Sequence, residues 1–200
     1  MRTSLVAMFA ATIAMPALAQ TQAGAPANYR GVIEAVSPGH VKLYERSGDH
    51  LDFTIAPDAR YSLVVPIALD AIKPGAYVGS TTLTQKDGTE IALEVHVFPE
   101  NQRGTGEGTR PYDLKPESIM TNGTVGDVSG IKGRTMVVDY KSGKRVITVP
   151  DDTPVVTSLP GDASNLVPGA KAVLSATKDA AGNLTAVRVQ VGKDGLMPPT

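Results

Sequence analysis

The chain has 200 residues, and its 19 Lys and Arg against 20 Asp and Glu give a net charge of −1 at pH 7. It has no Cys, which excludes disulfides and thiolate metal sites. The near-neutral charge implies no strongly basic patch, so we expect no nucleic-acid partner.

Residues 1–19 have the pattern of a signal peptide. Arg2 provides the positive start, residues 5–14 form a short apolar core, and Ala17-Leu18-Ala19 is a small-residue cleavage signal. The apolar run is too short to span a bilayer. We therefore expect a mature chain that begins near Gln20, carries a flexible leader at 20–28 and no transmembrane segment, and is periplasmic or secreted.

The rest of the chain contains one pattern twice, at an offset of 92 to 94 residues. "RGVIEAVSPG" at 30–39 resembles "NGTVGDVSGI" at 122–131, and "KPGAYVGSTTLTQKDG" at 73–88 resembles "VPGAKAVLSATKDAAG" at 167–182. A repeat of this kind indicates a duplicated module. We predict module 1 at 29–98, a linker at 99–120, module 2 at 121–192 and a flexible tail at 193–200.

Apolar residues alternate with polar ones inside each copy, which is typical of half-buried strands. Leu51, Phe53 and Ile55 share one face, and turn residues separate about five such runs per copy. The only helix-capable pieces, "PIALDAIKPG" and "DASNLVPG", follow the third run. These features predict an all-β protein of two tandem, small, five-stranded OB-like barrels joined by a Gly/Pro-rich linker. An SH3-like barrel and a two-sheet sandwich are the alternatives.

The duplicated pattern resembles a family of exported bacterial proteins of unknown function built from tandem OB-like β-barrel modules. The linker run "RGTGEG", followed by "RPYDL" and "MTNGTV", is similar to a stretch in the two-module members. The resemblance covers nearly the whole mature chain. It implies a fold and an exported location, and it brings no established reaction or catalytic residue.

The linker could be a phosphate-binding loop, a plain tether or an ordered clasp, and its sequence disfavours the first. Its G-x-G-x-G run at 104–108 lacks a following GK[S/T], and Pro111 and Pro116 disfavour the helix that a phosphate-binding loop needs. It is either a plain tether or an ordered clasp packed between the two modules. For a clasp, we expect the contacts to come from four linker side chains, Arg103, Glu107, Arg110 and Tyr112.

A weak metal site on module 1 is a further hypothesis. Glu94 and His96 lie two positions apart on what alternation predicts to be an outward strand face, and His50 is another possible ligand. The second copy has Ala186 and Arg188 at the positions that sequence similarity aligns with Glu94 and His96. The favoured alternative is an ordinary solvated polar face.

Enzyme motifs such as H-E-x-x-H and G-x-S-x-G are missing, so no catalytic residue is predicted. The leading hypothesis is an exported, non-catalytic binding or envelope-structural protein that acts through its barrel surfaces. Its partner would be an unknown envelope protein or a small ligand, and no cofactor is expected apart from a possible divalent metal. The alternatives are a periplasmic metal-associated protein and an undetected hydrolase.

Overall fold

The computed structural model describes residues 25–127 and 134–199, so the predicted signal peptide lies outside the described residues. The described chain consists of strands, turns and four short 3-10 segments. The all-β prediction is confirmed. Within these ranges, no helix is long and apolar enough to cross a membrane.

Residues 25–127 and 134–199 form twelve strands: β1 (Ala27–Ser37), β2 (His40–Glu45), β3 (His50–Pro66), β4 (Tyr77–Thr84), β5 (Glu90–Val97), β6 (Gly108–Pro111), β7 (Ile119–Asp127), β8 (Thr135–Tyr140), β9 (Gly143–Thr148), β10 (Val155–Pro160), β11 (Lys171–Lys178) and β12 (Leu184–Gly192). The 3-10 segments are Leu69–Ala71, Glu100–Gln102, Ala163–Asn165 and Lys193–Gly195. The two helix-capable pieces of the sequence therefore form a single 3-10 turn each.

Five strands close into a barrel, which we call the first ring: β1, β2, β3, β12 and β11, in that order around it. Every neighbouring pair is antiparallel except β3 and β12, which run parallel. Alternating apolar side chains fill its interior, among them Ile33, Leu43, Phe53, Leu174 and Val189. Closure leaves these strands without a free edge inside the ring.

The second ring is formed by β7, β8, β9, β5 and β4, again in ring order. Its one parallel contact, between β5 and β9, joins Glu90 to Ile147 and Ile91 to Thr148. A separate apolar core fills this ring, with Val78, Val95, Val125, Met136 and Ile147 among its members. The two rings thus have the same strand order and the same single parallel contact.

Strand β10 joins the rings. It pairs antiparallel with the end of β3, where Ser158 lies opposite Val64, and parallel with β5. His96 of β5 pairs with Val156 of β10, and Gln190 of β12 pairs with Ser62 of β3. Gln190 lies 94 positions after His96, and Ser62 lies 94 positions before Val156, so the two pairings are equivalent. The repeat seen in the sequence therefore recurs as a repeat of strand register.

The rings do not coincide with the two sequence copies. Strands β1–β3 of the first copy close with β11 and β12 of the second, while β7–β9 of the second copy close with β4 and β5 of the first. The prediction of one barrel within 29–98 and another within 121–192 is not confirmed. Hydrophobic alternation determines which face of a strand is buried, but not which strand lies beside it.

Two equivalent turns fix the segments that cross from one ring to the other, one between β3 and β4 and one between β10 and β11. After the first crossover, the Gly75 N–H donates to the Val125 carbonyl at 2.7 Å; after the second, the Gly169 N–H donates to the Ile33 carbonyl at 2.8 Å. Both glycines have φ near +87° (86° and 87°), a conformation that favours glycine. Each crossover is therefore fixed to a strand of the other copy.

The connecting segment, residues 99–118, runs from β5 to β7 and contains β6, which pairs with β7. The tail that was predicted to be flexible contains the Lys193–Gly195 turn, and Pro198 and Pro199 after it are buried.

Candidate functional site

A cavity of about 290 Å³ lies between the two rings. The first ring and β10 contribute polar side chains and one aromatic ring: Asn28, Arg60, Tyr61, Ser62, Ser158, Ser175, Arg188 and Gln190. The opposite wall comes from the second ring and the connecting segment: Gly79, His96, Phe98, Gln102, Thr105, Arg110, Tyr112, Met120 and Asn122. Among the residues that the structure describes, no Asp or Glu lines this cavity.

Two exposed arginines lie side by side at the cavity. Arg60 of β3 is directly opposite Arg188 of β12 in the strand pairing. Within residues 25–127 and 134–199, neither guanidinium has an ion pair within 4.0 Å or a hydrogen bond to the protein. Asp58 lines the adjoining opening with them but lies outside ion-pair distance. This part of the wall therefore carries two positive charges that are not ion-paired with a carboxylate.

Asn122 supplies a buried acceptor on the other wall. It is 1% exposed; its Nδ2 donates to the Thr105 carbonyl at 2.9 Å, and its Oδ1 has no hydrogen-bond donor. Gly79 makes room for it, since a Cβ at position 79 would lie 2.7 Å from Asn122 Oδ1 and 3.1 Å from the Phe98 ring. A buried polar atom without a partner is costly, which marks this one as a position for a ligand or water.

His96 lines the cavity from β5. It is 3% exposed, its Nε2 lies 3.2 Å from Ser158 Oγ, and its ring centroid lies 4.9 Å from that of Phe98. Burial lowers the pKa of His96 to about 4, so the ring is neutral at pH 7. The prediction that His96 lies on a solvated strand face is wrong, because Ser158 and Phe98 lie against the imidazole and the ring faces the cavity between the two rings of strands.

Glu94, two residues earlier, is completely buried, so its predicted exposure is wrong as well. Thr81 Oγ1 donates to Glu94 Oε1 at 2.7 Å, while Oε2 has no hydrogen-bond partner. Burial raises the pKa of Glu94 to about 8, although Thr81 and the charge of Arg30 both lower it. The carboxyl group is therefore mostly protonated at neutral pH.

Arg30 ties the connecting segment to the first ring. It is 3% exposed and forms two hydrogen bonds with Asp113, of 3.1 and 2.9 Å, while its guanidinium carbon lies 5.9 Å from the centre of the Tyr112 ring. Arg46 donates to the carbonyls of Asp113 and Leu114. Sequence reasoning missed this ion pair, and no local signal marks partners that are 83 residues apart.

The four predicted linker contacts separate into two groups. Arg110 and Tyr112 line the cavity, and burial raises the pKa of Tyr112 to about 12. Arg103 donates to a backbone carbonyl just before β4, and Glu107 accepts from a backbone N–H between β8 and β9. Arg103 and Glu107 therefore contact the second ring and do not line the cavity.

The predicted metal ligands are not brought together. His50 is 69% exposed and pairs with Glu34, with 2.8 Å between Nδ1 and Oε2, whereas Glu94 and His96 are buried in the second ring. In the parts of the chain that the structure describes, no group of three or more His, Asp or Glu side chains could hold a metal ion. Binding of a divalent ion at any one of these residues stays a prediction.

Comparisons of the chain with family models, with curated proteins and with solved structures found no match. The resemblance to exported tandem-module proteins therefore stays a prediction.

Proposed function

We propose that the protein is an exported, non-catalytic binding protein that holds a small ligand in the cavity between its two rings. The observation that carries the proposal is the cavity itself. Its volume of about 290 Å³ is close to the lower end of the size range of small-molecule sites, roughly 300–1,000 Å³. Most of its lining side chains are polar, and Tyr61, Phe98 and Tyr112 add aromatic surface, so the cavity suits a polar ligand better than an apolar one.

The architecture supports this role. In our proposal each ring is an OB-like barrel, with its strands in the order first, second, third, fifth, fourth, and the two barrels have exchanged their last two strands. The connecting segment acts as the clasp, since Arg30 and Arg46 hold it to the first ring and β6 holds it to the second. By fixing Arg110 and Tyr112, the clasp completes one wall of the binding site.

Hydrolysis is the second candidate, because Ser158 Oγ and His96 Nε2 lie 3.2 Å apart at the cavity. A serine nucleophile needs a base whose pKa is near the working pH. The pKa of His96, about 4, makes the imidazole a weak base. Binding without turnover is therefore the better-supported function.

A fragment screen tests the proposal. We would record ligand-observed NMR spectra with neutral, cationic and anionic fragments, comparing wild type with Ser62→Phe, which fills the cavity at a half-buried position. Ser142→Phe, in the exposed turn between β8 and β9, is the matched control. We expect hits that vanish in Ser62→Phe and remain in Ser142→Phe. Absence of hits, or hits that both variants retain, would contradict a ligand site in this cavity.

Export is the second part of the proposal, and it depends on residues 1–19. Cell fractionation followed by N-terminal sequencing should find a mature chain that starts near Gln20 in the periplasm or medium. A chain that retains Met1 in the cytoplasm would contradict it.

A further inference from the structure

We infer that the ligand is a small organic oxyanion, held by the guanidinium groups of Arg60, Arg188 and Arg110, that also donates a hydrogen bond to Asn122. This inference rests on the proposed binding role of the cavity and specifies its ligand class. The shared chemistry is a carboxylate or phosphate oxygen that accepts hydrogen bonds from arginine.

Charge at the cavity is the first argument. Arg60 and Arg188 are directly opposite each other on neighbouring strands, and like charges in that position destabilise a sheet. No carboxylate among the described residues lines the cavity to compensate them. An oxyanion between the two side chains would turn this repulsion into attraction, and the planar fork of a guanidinium matches a carboxylate or phosphate well.

The other arginines make this pair distinctive. Four of them form ion pairs of 2.6 to 2.9 Å with carboxylates, namely Arg30, Arg103, Arg134 and Arg145. Arg46 and Arg110 donate to backbone carbonyls. Only Arg60 and Arg188 have no protein partner within the described ranges. Their side chains are thus available to a ligand.

The orientation of the Asn122 amide is the second argument. Its Nδ2 donates to the Thr105 carbonyl, which places Oδ1 as the free acceptor. Because Asn122 lines the cavity, we expect a ligand hydroxyl or amine to supply the missing donor. The part of the ligand between its oxyanion and its hydrogen-bond donor would contact the rings of Tyr61 and Phe98, which also line the cavity. An apolar or aromatic group fits there.

Titration with three simple probes tests the inference. We would add inorganic phosphate, benzoate and 4-hydroxybenzoate, each against sodium chloride of equal ionic strength, and follow the backbone amides by NMR. We expect saturable shifts at Arg60, Arg188 and Arg110. The phosphate and carboxylate arms show which oxyanion is preferred, and the extra hydroxyl of 4-hydroxybenzoate should strengthen binding about two- to tenfold over benzoate if it reaches Asn122.

Charge-matched variants complete the test. Arg188→Gln and Arg60→Gln should each weaken the best probe by about tenfold or more, because each removes a charged hydrogen-bond donor. Lys178→Gln removes one exposed positive charge from the same ring, away from the cavity, and should leave affinity unchanged. Thermal melting would check that all three variants fold.

Two results would overturn the inference: no saturable shift with any of the three probes, or unchanged affinity in both arginine variants. If neutral or cationic fragments from the screen occupy the cavity and are lost in Ser62→Phe, the binding role stands and only the oxyanion is wrong. If no fragment of any charge depends on the cavity, the binding role itself fails.

Discussion

Strands β5 and β12 occupy equivalent places in the two rings, yet their equivalent residues have opposite environments. Glu94 of β5 lies opposite Thr81, and Arg188 of β12 lies opposite Ser175, with a β-bulge directly after each pair. Glu94 is completely buried and Arg188 is exposed. Position within the strand is therefore not what decides burial here.

The cover over each strand makes the difference. On the Glu94 side, Tyr112 of the connecting segment and Arg30 of β1 lie close enough to interact electrostatically with Glu94, and Arg30 also pairs with Asp113. On the Arg188 side, Ser175 Oγ donates to Asn28 Oδ1 at 2.7 Å, beside an opening that Arg60 and Arg188 also line. The equivalent residues Glu94 and Arg188 therefore differ in role: Glu94 is enclosed in the protein, and Arg188 forms part of the cavity wall.

The largest effect should come from separating the copies. Because each ring takes strands from both copies, we expect fragments 25–98 and 119–199 to be unfolded when expressed alone and to fold when mixed. Circular dichroism and NMR of each fragment and of the mixture would measure this. Cleavage of the native protein after Arg103 should accordingly leave two fragments that elute together on size exclusion. A folded, monomeric 25–98 fragment would contradict the strand exchange.

Removal of Arg30 should have the next largest effect. Arg30→Ala eliminates a buried, two-bond ion pair, and breaking such a pair costs about 3–5 kcal/mol. Because Asp113 is 47% exposed and can be rehydrated, we expect a loss of about 2–4 kcal/mol in the free energy of unfolding, measured in urea.

Asp52→Ala is the control for Arg30→Ala. It breaks the Lys42–Asp52 pair, whose side chains are 60% and 71% exposed, and should cost no more than about 1 kcal/mol. Equal losses in the two variants would show that the clasp contributes no more than an ordinary surface contact.

The pH dependence of stability should report the buried pair Glu94 and His96. Since the pKa of Glu94 is raised to about 8, the folded state holds a proton that the unfolded state releases, and stability falls as pH rises from about 4.5 to 8. Since the pKa of His96 is lowered to about 4, stability falls as pH drops from about 6.5 to 4. The two slopes cancel between pH 4.5 and 6.5, which leaves a loss of about 2 kcal/mol between pH 6.5 and 8.

Glu94→Gln isolates the two contributions. It keeps an oxygen that can accept from Thr81 but has no carboxyl proton, so the loss between pH 6.5 and 8 should disappear. The acid-side fall caused by His96 should then become visible between pH 6.5 and 4.5. Urea unfolding at pH 5, 6.5 and 8 measures both changes, and an unchanged slope above pH 6.5 in Glu94→Gln would refute the buried acid.

The smallest change in stability is expected from Arg188→Gln, at the exposed arginine pair of the cavity wall. Without any oxyanion, Arg188→Gln should raise the free energy of unfolding by about 0.2–1 kcal/mol, because it removes a like-charge neighbour of Arg60. The gain should shrink as sodium chloride screens the charges. Destabilisation by this substitution at low salt would show that Arg188 has a structural partner, as Arg30 does.

Local sequence patterns predicted the strands well, but they did not predict which strand faces are buried by residues from distant parts of the chain. Alternation places Phe53 and Val189 on buried faces, and the structure buries both. For β5, alternation assigned Glu94 to the outward face, but the residues that cover it come from the connecting segment and β1. Burial of that face depends on chain segments that no local period can indicate.

The alignment of the two copies was wrong by two residues in the last strand. Sequence similarity aligned Glu94 and His96 with Ala186 and Arg188, whereas strand register aligns them with Arg188 and Gln190. A shift of two residues preserves the alternation of faces, so hydrophobic pattern alone cannot detect it. The like-charge pair at the cavity was missed for the same reason, since only the register places Arg188 beside Arg60.

The pairing of strands that lie far apart in the sequence also determines when the chain can fold. Asn28 and Ser175 form their hydrogen bond across 147 positions, so the first ring cannot close until almost the entire sequence has been made. Contacts between such distant residues raise the contact order. High contact order slows folding, because the entropy of closing long loops is lost before the strand contacts lower the free energy. If the protein is exported as we propose, this late closure would keep the first ring open while the chain crosses a narrow channel.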